Sequence, residues 1–235
     1  MKNPTSSIKG AFSLIETVIA IGVLAVLLTG FMIVFAPAAA GIKKAISAEE
    51  ADRLASTLEQ ELVTSRGGDP TPGFNKAFKF IQESDSANTA LFVYQYRGSL
   101  SQTRTEDGTP EPVADASTKR PGVDYAVISM VRRKSDNLFT EDMKAAEGGV
   151  YLAKCKQLVF KNGQLEAGTA GQITDPKNPG AAVSSVNDYP EAVIAFSAEF
   201  YSLPAKRSGY FTSAFQANFS KFKNPVFTRN LAVRR

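Results

Sequence analysis

"KGAFSLIETVIAIGVLAVLLTGFMIVF", Lys9 to Phe35, decides how the rest of this chain is read. Nearly every residue is apolar, and no charge stands between Thr17 and Ile42. A helix of about 20 apolar residues crosses the hydrocarbon of a bilayer, so this stretch is long enough to span. Pro37 would kink or end a soluble helix, but membrane helices tolerate proline better. The anomaly is Glu16, a carboxylate just inside the leading edge, where a charge disfavours insertion.

Two bland readings leave that charge unexplained. In the first, Lys2 and Lys9 open a cleaved secretory signal and Ala38-Ala39-Ala40 offers the cut, yet the apolar part outruns the usual ~7–15 residues. In the second, the stretch is a plain anchor, and a carboxylate at the centre of such a span costs about 2.5–3.5 kcal/mol, less near its edge.

A third reading uses Glu16. A short basic leader ends in a small residue, Phe12-Ser13-Leu14-Ile15-Glu16 follows, and an unbroken apolar helix comes next. In these features the chain resembles the type IV prepilins and type II secretion pseudopilins. The resemblance implies that a prepilin peptidase cuts the leader just before Phe12. It also implies that Phe12 becomes an N-methylated terminus and that Glu16 is the fifth mature residue. The family usually carries Gly directly before the Phe, whereas here Gly10 is followed by Ala11. A cut after Ala11 keeps Glu16 in register, and a cut after Gly10 shifts it by one. The first is favoured because the register has a physical role. A free amine on Phe12 lies one helical turn from Glu16, as i and i+4 do. In a filament the amine of a neighbouring subunit can serve. Opposite charges paired in a low-dielectric bundle offset the desolvation that either suffers alone. The simpler alternative is a carboxylate snorkelling to the headgroups.

Lys2 and Lys9 precede the span and Lys43 and Lys44 follow it, so loop charge alone barely orients it. The resemblance places the leader in the cytoplasm and the rest outside: a single-pass protein of the bacterial inner membrane, its head in the periplasm or a surface filament. Three parts follow: a leader (1–11), a transmembrane and assembly helix (12–42) and a globular head (43–235). The stretch Gly41–Arg66 continues the helix in amphipathic style. Ala51, Leu54, Leu58 and Leu62 recur at helical spacing with Ala55 beside them, and Glu49, Glu50, Asp52, Glu59 and Glu61 supply a solvated side. Gly67, Gly68 and Pro70 stop it. As one element from Ser13 to Arg66 the helix would run roughly 80 Å at about 1.5 Å per residue.

Beyond the stop the period changes. Phe74–Ile81 reads as a short helix, and Ala90–Gly98, Val123–Arg133, Gly149–Phe160 and Glu191–Leu203 read as strands. Phe139–Glu147 reads as a short helix. The Asn-Gly within Lys161–Gln164 signals a hairpin, and Ser99–Gly122 an exposed loop. Phe211, Phe215 and Phe219 fit either a strand or a helix at i, i+4; Tyr210 and the sheet context favour the strand. Pro225–Arg235 reads as an edge strand. One long helix followed by successive strands predicts an α+β fold, with the Leu54, Leu58 and Leu62 stripe lying on one face of an antiparallel sheet. The pilin resemblance implies the same fold.

The composition is poor in chemistry. The 235 residues carry a net charge of +4, one cysteine and no histidine or tryptophan. Without histidine the commonest general base and metal ligand are missing, and Cys155 cannot join a Cys–His pair or an intrachain disulfide. It reads as a buried, inert thiol. Thr174–Glu191 offers Asp175, Asn178, Asn187, Asp188 and Glu191 as calcium-type oxygen donors, but these are also turn formers, and no metal or cofactor is assigned. After Glu199 every charged side chain is basic: Lys206, Arg207, Lys221, Lys223, Arg229, Arg234 and Arg235, interleaved with Phe211, Phe215, Phe219, Phe222 and Phe227. That pattern can bind single-stranded nucleic acid, although aromatics facing a core under a basic solvated face are the simpler reading. The expectation is therefore a pilin-like structural subunit and not an enzyme, a minor pseudopilin of a type II secretion or type IV pilus filament. Its implied partners are sister pilin subunits, the prepilin peptidase, an inner-membrane assembly platform and the lipid bilayer. The alternative is a membrane-tethered module binding DNA, polysaccharide or an exported protein.

Overall fold

The structure, a computed structural model, describes residues 13–63, 73–161 and 163–235. The helix stop at Gly67–Pro70 lies outside them. Contacts divide the chain into two compact units, one ending at Ala45 and one running from Ile46 to Arg235. Helix α1, Leu14–Val63, supplies residues to both.

The second unit is α+β. Its sheet is antiparallel throughout and contains β1 (Leu91–Thr103), β2 (Pro110–Pro112), β3 (Tyr125–Arg133), β4 (Ala146–Lys161), β5 (Gln164–Ala170), β8 (Val193–Ser202) and β9 (Phe227–Arg234). Strand β1 pairs with β3 on one side and with β4 on the other, where β2 takes over beyond Gly98. Strands β8 and β9 extend the sheet from β4, and β9 forms its edge as expected. The Asn-Gly signal sits in a hairpin in which Lys161 pairs with Gln164, and Gly163 takes the positive φ of 79° that a two-residue turn requires. A separate hairpin joins β6 (Thr174–Asp175) to β7 (Asn178–Ala182).

Alternation along the strands builds two cores. Leu91, Val93, Tyr151, Ala153 and Cys155 face one side, against Ala51, Leu54, Ala55, Leu58 and Leu62 of α1 and Phe74, Ala77, Phe78 and Ile81 of α2 (Gly73–Glu83). Phe92, Tyr94, Tyr96, Val150 and Leu152 face the other, against Phe139 of α3 (Asn137–Asp142) and Phe211 and Phe215 around α4 (Ser213–Asn218). The helical stripe therefore lies on the sheet as its spacing predicts. Cys155 is buried, and burial pushes its thiol up to about 12, which keeps it protonated and inert.

Four expectations are corrected. Phe211–Phe219 forms no strand; it is a 3-10 turn, α4 and a further 3-10 turn, because i, i+4 spacing brings Phe211, Phe215 and Phe219 onto the second core while β9 takes the place beside β8. Ser99–Gly122 is not simply an exposed loop: β1 runs on to Thr103, β2 lies within it, and Arg104 and Thr109 are buried. Glu61 is buried rather than solvated and pairs with Lys76 at 2.5 Å. Glu50 turns inward, accepting the Gly149 N–H at 2.6 Å and the Tyr151 hydroxyl at 2.8 Å.

The last contact explains two glycines. Strand β4 carries Gly148 and Gly149 as extra residues where β1 passes from Tyr94 to Gln95. A Cβ on Gly149 would stand 2.7 Å from the Glu50 carboxylate and from the Tyr151 ring. The bulge thus holds α1 against the sheet by bringing backbone close to a carboxylate. Gly149→Ala is expected to destabilise the chain by about 1–3 kcal/mol, the usual cost of overpacking, measured by denaturant unfolding in detergent. No loss would show that α1 simply shifts.

Under the second core lies an ion cluster. Asp142 is fully buried and accepts hydrogen bonds from the Tyr94 hydroxyl (2.6 Å), Arg104 Nη2 (2.7 Å) and Arg132 Nε (2.8 Å). Arg132 also reaches Asp107 (2.6 Å) and Asp136 (2.9 Å). Burial first, then the Asp142 carboxylate, raises the Tyr94 phenol above its ordinary value; burial and Glu199 do the same to Tyr201. A raised phenol stabilises the fold fully below the unfolded value near pH ~10 and loses that contribution as pH climbs through the folded value. The melting temperature is therefore expected to fall as pH rises above about 10. A melting temperature that stays level through that range would contradict this.

Candidate functional site

The candidate site is the first part of α1. Every residue from Ser13 to Ile46 is exposed, including Leu14 at 82%, Ile33 at 69% and Phe35 at 55%. The mean hydropathy of its richest 18-residue window is 2.8, and none of that window is buried. Its length and composition suit a single membrane span.

Polar groups within this segment find partners on the helix itself. Both hydroxyls inside it are satisfied locally: Thr17 Oγ1 donates to the Ser13 carbonyl at 3.4 Å and Thr29 Oγ1 to the Ala25 carbonyl at 2.8 Å. Pro37 sits inside the helix, where it withholds one N–H from the ladder. Phe31 and Phe35 stack one turn apart with centroids at 3.9 Å. A Cβ added to Gly22 or Gly30 would meet nothing within 4 Å, so both leave backbone open to a close neighbour.

Glu16 stands in the first turn of α1, exposed, its N–H directed to the Ser13 carbonyl at 3.0 Å. A first-turn carboxylate complements the positive end of the helix dipole. No ion pair to Glu16 occurs among the described residues. The expected partner amine on Phe12, and the expected cleavage residues Gly10, Ala11 and Phe12, lie outside them.

The remaining candidates separate. The Thr174–Glu191 donors serve the turn: Asp175 Oδ1 caps the Lys177 N–H at 2.8 Å, and Glu191 pairs with the Lys177 ammonium at 3.6 Å. Among the described residues no group of three or more Asp, Glu or Cys gathers as a cation cage. Of the C-terminal basic residues, Arg229 reaches Ser56, Asp52 and Glu59 on α1, and Arg235 binds the Val186 carbonyl and stacks on Phe74. They tie the chain end to the fold. The Arg104–Asp142–Arg132 cluster is foreseen by no motif, since its members lie 10 to 38 residues apart and meet only when β3 and α3 pack. Comparison with protein-family models, curated proteins and solved structures found no match.

Proposed function

We propose that this chain is a pilin-like structural subunit, held in the bacterial inner membrane by the first part of α1 and packed through it into a type II secretion or type IV pilus filament. The observation that carries this reading is Glu16, the single carboxylate at the head of a helix that is otherwise uncharged to Ile42 and wholly exposed. An anchor alone has no use for that charge. An assembly helix does, because a cationic chain end docked at the right depth neutralises it. On this reading the prepilin peptidase trims the leader, Phe12 is N-methylated, and the α+β head is displayed on the filament. Its work is assembly, not catalysis.

The test is the mature amino terminus. Mass spectrometry of the protein from its own membranes is expected to find Phe12 first and methylated. A chain starting at Gly41 would mean a secretory signal, and an intact Met1 a plain anchor; either result overturns the proposal.

A further inference from the structure

The segment between β8 and β9 covers the second core and leaves a cleft on the surface. Pro204, Tyr210, Asn218, Lys221 and Phe222 line it, around a volume of about 270 Å³. That is just under the ~300 Å³ lower end of ordinary ligand pockets, room for one ring-sized unit. The aromatic residues of this segment are not equivalent. Phe211 and Phe215 are buried, and Lys154 lies over the Phe219 ring at 4.3 Å. Tyr210 and Phe222 are half-buried and bring ring surface to the cleft.

Its polar groups are also distinctive. Asn218 spends an amide N–H on the Ala214 carbonyl at 2.8 Å, which leaves its Oδ1 as an acceptor. The Tyr210 hydroxyl and the Lys221 ammonium have no partner among the described residues. Lys206, Arg207, Lys221 and Lys223 are all exposed without an ion pair there, and no acidic residue follows Glu199 in the chain. Among the described residues unpaired exposed cations also occur elsewhere, at Lys79, Lys119, Lys144 and Lys161, but here four stand within one 18-residue segment that carries no carboxylate and borders the cleft.

We propose that this cleft binds one ring of an acidic polysaccharide, a uronate-type sugar. The C–H face of the sugar lies on Tyr210 and Phe222, its hydroxyls exchange hydrogen bonds with the Tyr210 hydroxyl and Asn218 Oδ1, and its carboxylate meets Lys221. A single strand of nucleic acid is disfavoured, because strand binders offer successive open ring faces and here the neighbouring rings are buried or capped by a cation. The inference concerns the head alone and does not rest on the assembly role of Glu16.

The experiment is a titration of the full chain in detergent micelles with oligogalacturonate, followed by isothermal titration calorimetry, whose signal does not depend on Tyr210. Saturable binding is expected, weakened at least about tenfold, or ~1.4 kcal/mol, by Tyr210→Ala and by Lys221→Glu, and weakened by salt. A neutral cello-oligosaccharide of equal length is expected to bind at least about tenfold less tightly. Lys221 is exposed, so its variant keeps the fold, and matching melting curves check this. No binding of oligogalacturonate, binding indifferent to both substitutions, equal binding of the neutral oligosaccharide, or oligo(dT) binding in its place would each overturn the proposal. Glu16→Ala is expected to leave the titration unchanged, which separates a failure here from a failure of the assembly role.

Discussion

Glu16→Ala is expected to leave the chain in the membrane and to abolish its entry into filaments. Removing a carboxylate lowers the cost of insertion, so the membrane fraction should hold or rise. Assembly responds in the opposite direction. On the proposed assembly reading, the cationic chain end of a packed filament would lose its counter-charge inside a low-dielectric bundle. Breaking such a pair costs about 3–5 kcal/mol, because the surviving charge stays buried and unpaired. A loss of that size is at least a hundredfold in an association constant, at about 1.4 kcal/mol per decade. Immunoblots of sheared filaments against membranes would read it directly, in the cells that make the protein. Glu16→Gln separates charge from shape: it keeps the side-chain volume and should fail almost as badly. Unchanged incorporation of either variant would remove the assembly role and leave the helix an anchor.

Asp142→Ala is expected to be the most damaging single change to the head. Asp142 is 0% exposed and holds Tyr94, Arg104 and Arg132 together. Its loss takes the shared carboxylate from two buried guanidinium groups: Arg104 keeps only the exposed Glu141, and Arg132 keeps Asp107 and Asp136 but loses its one fully buried partner. Breaking a buried pair costs about 3–5 kcal/mol. That is a large share of the ~5–15 kcal/mol by which folded domains are stable. Denaturant unfolding of the full chain in detergent measures it through the midpoint. Glu141→Ala makes the control: its side chain is 53% exposed and stands 3.6 Å from Arg104, so the expected change is within about 1 kcal/mol. Equal effects from the two variants would show that burial of the Asp142 carboxylate is not what matters.

Acid probes the same cluster from another side. Burial by itself would raise the Asp107 carboxyl, but hydrogen bonds from Thr109 and Arg132 outweigh it and hold the group below its ordinary value. Its contribution is therefore complete above the ordinary carboxylate value near pH ~4 and disappears as pH falls through the lower, folded one.

Much of this molecule can be read from spacing. The uncharged run to Ile42, with Glu16 at its head, needs only counting, and so does the stripe at Ala51, Leu54, Leu58 and Leu62. Strands β1, β3, β4 and β8 and the Asn-Gly hairpin follow from local alternation and one turn signal. The hydrogen-bond partners of these strands lie on other strands, but the side-chain alternation that marks each one is local and can be read from spacing. The same is true of Cys155, whose position beside Tyr151 and Ala153 already points it into a core.

The chain by itself determined a long apolar helical run, an antiparallel sheet and the stripe of Ala51, Leu54, Leu58 and Leu62 that packs on it, because side-chain period is a local property. Tertiary structure alone decided that Phe211, Phe215 and Phe219 close a second core as short helices. It alone buried Glu61 and Asp142, and it seated Glu50 on Gly148–Gly149. Each of these outcomes depends on what another element presents across many residues of sequence: an occupied place beside β8, a facing lysine or arginine, a bulge without Cβ atoms. The preference of one segment can leave two conformations nearly equal, and the burial gained against the rest of the fold then decides between them.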